Sequence, residues 1–257
     1  MKFVFMEAIL IFFIAHWYLS LFSQSFFDHR YAAHGAFKLN AFWEKFFYVF
    51  SYITQGASYM SPRAYAIMHR MHHAYTDTAR DPHSPKYSKG VISMMKRTNS
   101  FYIAIYKNTF PVEARFLKNV PDWPWFDKWA LSYTSSVIWT LLYIGYYIQF
   151  APSLWWYVLI PIHVLMGPVH GTIVNWVAHK YGYRNFDMSN TSRNIMPIDI
   201  FMMGEGYHNN HHKFASSANF GYRWYEIDPT YVIMRILHAL HVIRINSTAL
   251  ERRVTIF

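Results

Sequence analysis

"WALSYTSSVIWTLLYIGYYIQFAPSLWWYVLIPIHVLMGPVHGTIVNWVAH", residues 129–179, contains no Asp, Glu, Lys or Arg. A helix rises about 1.5 Å per residue, so the stretch is too long for one crossing of a ~30 Å hydrocarbon core. Pro152, within "FAPS", suits a tight reversal. The run therefore reads as two spans, about 129–150 and 153–178, joined by a very short loop.

The composition agrees with a bilayer. Hydrophobic residues make up 53% of the 257 positions and charged residues 15%, where a soluble globule carries roughly 25% charged. A third span is expected at 3–27, "FVFMEAILIFFIAHWYLSLFSQSFF", whose only formal charge is Glu7. Its apolar stretch is longer than a signal-peptide core and no small-residue cleavage site follows, so it reads as a retained helix.

The net charge is +10 and, apart from Lys2, every Lys and Arg lies in 30–128 or 180–257. The positive-inside tendency then puts 28–128 and 179–257 in the cytoplasm, with the N-terminus outside. Attraction to anionic membrane lipid follows from the same excess, and nothing calls for nucleic acid. With no cysteine, disulfides and thiolate metal sites are excluded.

The segment 41–58, "AFWEKFFYVFSYITQGAS", is long enough to suggest another crossing. Glu44, Tyr48, Ser51 and Gln55 fall on one helical stripe, which favours a helix lying at the membrane surface. The segment 230–245 reads the same way. The expected fold is an all-α integral membrane protein forming a single domain over 1–257. It has about three transmembrane helices, interfacial helices, and a cytoplasmic helical cap holding a histidine-rich di-metal site.

That site is read from four places: "HRYAAH" (His29, His34), "HRMHH" (His69, His72, His73), "AHKYG" (His179) and "HNNHH" (His208, His211, His212). In HxxHH, residues three or four apart share a helix face, so two imidazoles can close on one ion while the neighbour reaches a second. His29 and His34 are five apart, which an unbroken α-helix would point away from each other. Nine imidazoles exceed the four ligands of one tetrahedral zinc and suit two six-coordinate ions. Asp28, Asp77, Asp81 and Glu205 are the carboxylates best placed by adjacency to orient them. His83, in "DPHSP", reads as a hydrogen-bonding neighbour or a further ligand, and His170 as structural or lining a substrate path. His16, His163, His238 and His241 read as interfacial or structural.

HxxxxH, HxxHH, NxxxH and GEGxHNxHH, in this order around hydrophobic spans, resemble the membrane fatty-acyl desaturases, most closely the stearoyl-CoA (delta-9) type. The resemblance covers about Tyr18 to Pro229. It implies that the nine histidines hold two irons (Fe2+/Fe3+), that O2 is co-substrate, and that Asn175, four residues before His179, holds a metal-bound water. It implies a cis double bond, delta-9, placed in a saturated fatty acyl substrate such as acyl-CoA. Such desaturases usually have four spans, and this chain corresponds to them from the second onward. With no fused cytochrome, the electron donor would be an external ferredoxin or b-type cytochrome with its reductase. A prokaryotic cytoplasmic membrane fits better than the endoplasmic reticulum. The competing readings are a di-iron hydroxylase or monooxygenase on an acyl or alkyl chain, and a histidine-rich metal transporter. A transporter would place its ligands near the bilayer midplane, whereas these clusters follow the span ends.

Overall fold

The computed structural model describes residues 2–246, with side chains from Met6 onward. Residues 247–257, part of the expected cytoplasmic stretch, lie outside the described residues. The described chain is mostly helical, with little sheet.

Helix α1, Lys2–Ser23, passes without a break into a π-helix, Gln24–Ala33. Together they supply the one continuous described helix long and apolar enough to cross a membrane, Met6–Ala33. The first span thus runs past its expected end at 27. The π-helix resolves the five-residue spacing of the first histidine pair. The His34 amide bonds the His29 carbonyl at 3.1 Å, an i to i+5 bond, so the two imidazoles lie on one side, tilted to each other with ring centroids 4.9 Å apart. This rarer helix concentrates at functional sites. Its last carbonyls are not left bare, because Arg70 donates to Ala32 and Ala33 at 2.9 and 2.7 Å.

A turn leads through strand β1, Phe37–Lys38, to helix α2, Ala41–Gln55, capped by the Asn40 side chain on the Trp43 amide. Its polar stripe faces the opposite way from a simple surface helix. Tyr48, Ser51 and Gln55 are fully buried, while Phe42, Phe46, Val49 and Ile53 are exposed. Phe47 and Tyr48 pack on Phe26 and Phe27 of the π-helix, in an aromatic core that also includes Phe37 and Met234.

Helix α3, Pro62–Tyr75, starts with the Ser61 cap and Pro62 at its first position and carries HRMHH in its last turns. Helix α4, Val91–Tyr106, packs on it through Ile67, Met68, Met71 and Ile105. Helix α5, Pro124–Ala130, takes up Trp129 and Ala130 of the span expected at 129–150, and the helix that follows is not among the described helices long and apolar enough to cross a membrane. Helix α6 is Tyr133–Phe150, capped by Ser132.

The span expected at 153–178 is not one helix. A 3-10 turn, Leu154–Leu159, leads to α7, Ile160–Val164, and then α8, Met166–Asn175, with a 66° bend between the two halves. Pro168 has no N–H to give the Val164 carbonyl. Gly167 packs against Ser58, donating its amide to Ser58 Oγ at 3.0 Å. A Cβ there would approach the Ser58 carbonyl to 3.2 Å.

Helix α9, His208–Lys213, is short, and α10, Pro229–Ala239, ends well before the expected 245. His241 turns the chain at φ +58, and strand β2, Arg244–Ile245, pairs antiparallel with β1 in the register Phe37–Ile245 and Lys38–Arg244. This ladder is the sole departure from an all-helical fold among the described elements.

Candidate metal centre

All nine histidines singled out by spacing converge, and they divide into two groups. His29, His34, His69, His73 and His211 bring ligand nitrogens within 4.8 Å of one another, as do His72, His179, His208 and His212. Each HxxHH motif serves both groups. His69 and His73, four apart, join the first group while His72 turns to the second; His208 and His212 join the second while His211 turns to the first.

The nitrogen geometry fits metal ligation. In the first group, Nε2 atoms stand 2.9 Å apart for His34–His69 and His69–His73, 2.8 Å for His73–His211 and 3.0 Å for His29–His211. In the second they stand 3.1 Å apart for His72–His212, 3.0 Å for His208–His212 and 2.9 Å for His179–His208. An imidazole nitrogen binds a first-row ion at about 2.1 Å, so two at right angles stand about 3 Å apart. Burial, reinforced by neighbouring imidazoles, lowers the pKa of His69, His72, His73, His208, His211 and His212 well below the usual value. They are therefore neutral, the form that donates a lone pair to a metal.

Outer partners fix the ring orientations. Glu205 Oε2 lies 2.7 Å from His29 Nδ1, and Asp81 Oδ1 lies 2.9 Å from His72 Nδ1. Asp77 acts at one remove: it accepts from the Thr191 hydroxyl at 2.8 Å, and Thr191 Oγ1 lies 3.0 Å from His179 Nδ1. Burial alone would raise Glu205, yet His29, Arg30 and Ser25 around it hold its carboxyl below the usual range. Asp28 does not join this set. It is buried and accepts from Gln55 Nε2 at 2.8 Å, because the π-helix turns it away from the histidines beside it.

Several supporting residues escape a reading by adjacency. Arg30, in the stretch assigned to the cytoplasm by charge, is fully buried, 2.7 Å from Asp228 and 3.3 Å from Glu205, with its guanidinium over the Phe220 ring. Asp199 gathers the amides of Met202, Gly204 and Gly206 at 3.0, 3.1 and 2.7 Å, shaping the turn that presents Glu205. Asn194 Oδ1 accepts from the Asn209 amide at 3.0 Å and steadies α9. Only "GEG" gave a local signal for this turn: Gly204 has φ +93, and a Cβ on Gly206 would lie 2.7 Å from Asp199 Oδ2.

A cavity of about 890 Å³ adjoins the first group and is walled by α4, α8 and the π-helix, with His29, His69, Asn175 and Glu205 among its lining. Asn175 is the last residue of α8. A 3-10 turn, Val177–His179, separates it from His179, which meets His208 in the second group. His83 also lines the cavity; its amide donates to Asp81 Oδ1 at 3.0 Å and its ring stands 4.1 Å from that of His72. His170 lines it too, with Nδ1 3.2 Å from Gln24 Nε2. His16 and His163 meet each other at 2.6 Å away from the site, and His163 reaches the Tyr147 hydroxyl at 2.9 Å.

Fold and site together give a mostly helical protein with two groups of largely buried histidines, each of which could hold a metal ion. The sequence profile of the fatty acid desaturase family matches residues 5–249, and the chain belongs to that family of membrane-associated oxidoreductases. It is 33% identical over 230 residues to the Delta-9 desaturase-like 5 protein of Arabidopsis thaliana, covering 86% of this chain and 71% of that one. It is 30% identical over 229 residues to Delta-9 acyl-lipid desaturase 1 of the same plant, covering 88% and 72%. Icosanoyl-CoA 5-desaturase of Limnanthes douglasii is 32% identical over 227 residues, covering 82% of this chain and 57% of that one.

Proposed function

We propose that this protein is an O2-dependent acyl desaturase that introduces a cis double bond at the delta-9 position of a saturated acyl chain carried on CoA. The nine histidines hold two irons, which supply the reductive activation of O2 when bound. The observation that carries the reading is the opening of the first histidine group onto one large, mostly apolar cavity: His29 and His69 belong both to that group and to the cavity's lining.

Within that arrangement the chain's own residues have separate tasks. Glu205, Asp81 and the Asp77–Thr191 pair keep Nδ1 of His29, His72 and His179 outward and Nε2 inward. The cavity between α4 and α8 positions a hydrocarbon that offers no polar handle, so orientation rests on shape. Asn175, whose amide oxygen can accept a hydrogen bond, aligns a water at the cavity's metal end. Two electrons come from a separate ferredoxin or b-type cytochrome with its reductase. The chain forms one domain of about three spans in a prokaryotic cytoplasmic membrane, with the histidines on the cytoplasmic side.

Relatives named for delta-9 acyl-lipid and acyl-CoA delta-5 activity support an acyl substrate. Expression in a host lacking desaturases, followed by fatty-acid profiling with double-bond location, tests the reading. A product lighter by two hydrogens at carbon nine of an acyl-CoA supports it. A product heavier by one oxygen replaces it with a hydroxylase.

A further inference from the structure

The two-residue ladder fixes an arrangement that the oxidation does not use. Lys38 and Arg244 are direct cross-strand partners, and both are exposed. Like charges directly opposite in an antiparallel pair are destabilising. Among the described residues neither has a carboxylate partner. Glu44, the acidic residue closest to Lys38 in sequence, accepts from the Tyr31 hydroxyl at 2.5 Å and lies 3.9 Å from Lys45.

The two cations open on one surface pocket of about 420 Å³, which His238, His241, Val242 and Ile243 also line. His238 is held in place by its Nδ1 contact with the Ile243 carbonyl at 3.2 Å. Asn40, on the same rim, caps the N-terminus of the 15-residue α2, so the positive end of that helix adds to the field. The surroundings are hydrocarbon-like. Phe42 and Phe46 on α2, Ile236 on α10 and Leu240 just past its end are large apolar side chains left exposed. A pocket that is cationic inside and apolar outside matches a charged headgroup with acyl tails, and basic pockets at membrane surfaces take such headgroups.

We propose that the Lys38–Arg244 pocket binds the phosphate of an anionic phospholipid, whose tails lie along the exposed apolar faces of α2 and α10. The lipid offsets the cross-strand repulsion. It also steadies the ladder, whose neighbour Asn246 donates its amide to the Ala36 carbonyl at 3.0 Å, two residues after His34.

Native mass spectrometry of the full chain in detergent tests this, with phosphatidylglycerol, phosphatidylcholine of the same acyl chains, and inorganic phosphate offered separately. Phosphatidylglycerol adducts should survive activation that strips phosphatidylcholine. The double variant K38S/R244S should lose them on the order of tenfold, as removal of two cations beside a lipid phosphate implies, while K107S, an exposed cation elsewhere, retains them. A second variant guards against misfolding. Lys38→Glu converts the repulsive pair into an ion pair, so it should raise the melting temperature in neutral detergent and abolish the further rise that phosphatidylglycerol gives the wild type. Equal retention of the two lipids, inorganic phosphate binding as strongly as phosphatidylglycerol, or K38S/R244S behaving as K107S would overturn the proposal.

Discussion

Glu205 holds its Oε2 2.7 Å from Nδ1 of His29, a residue 176 positions earlier in the chain. This contact joins the π-helix to the GEG turn, so the two ends of the sequence meet at the first histidine group. Glu205→Gln should lower metal affinity or turnover by roughly 10- to 100-fold, the usual cost of losing an outer partner of a ligating imidazole. Asp28→Asn, beside the same histidine but bonded to Gln55, should leave iron content at the wild-type level. Elemental analysis of the purified variants checks both.

Asn175→Ala should retain most bound iron yet lose most turnover, because Asn175 lines the cavity beside His29 and His69 without being one of the clustered nitrogens. Asn175→His could fill a position otherwise open to O2. Iron content measured beside product yield separates the cases. An alanine variant with full activity removes Asn175 from the site, and one that loses its iron makes it structural.

Gly206→Ala should destabilise the fold by about 1–3 kcal/mol, the cost of forcing a methyl into a packed position. Its Cβ would lie 2.7 Å from Asp199 Oδ2, the acceptor that shapes the turn. Gly145→Ala, which meets nothing within 4 Å in the middle of α6, should leave the fold unharmed or stabilise it by up to about 1 kcal/mol through helix propensity. Thermal melts of the pair give the comparison; equal melting temperatures would show that the turn tolerates the methyl.

The grouping of the two HxxHH motifs was legible because it is written in helical spacing. HRMHH places His69 and His73 on one face and His72 beside it, and HNNHH repeats the pattern. Glu205 and Asp81 were legible by adjacency. The π-helix was not, since composition does not separate it from α-helix, and its turn decides both that His29 faces His34 and that Asp28 faces away. Thr191 lies twelve positions from His179 and carries no local signal. The burial of Arg30 was not legible, because burial of a cation depends on partners remote in sequence, here Asp228 and Glu205. The bend before α8 needs Pro168 and Gly167 together with Ser58, which only the packed chain brings into contact.

His72→Ala and His73→Ala should each abolish desaturation while the protein stays in the membrane fraction, although the two serve different groups. Fatty-acid profiles of the two variants in a desaturase-free host provide the check. Full activity in either would mean that one group is dispensable.

Two irons should sit among these nine histidines, and anomalous scattering at the iron edge from crystals of the membrane-purified protein locates them. Two peaks are expected about 5–7 Å apart, somewhat wider than the ~3.5–4 Å of compact two-metal sites. One should be surrounded by His29, His34, His69, His73 and His211, the other by His72, His179, His208 and His212. A single peak, or iron bound away from these groups, would contradict that placement.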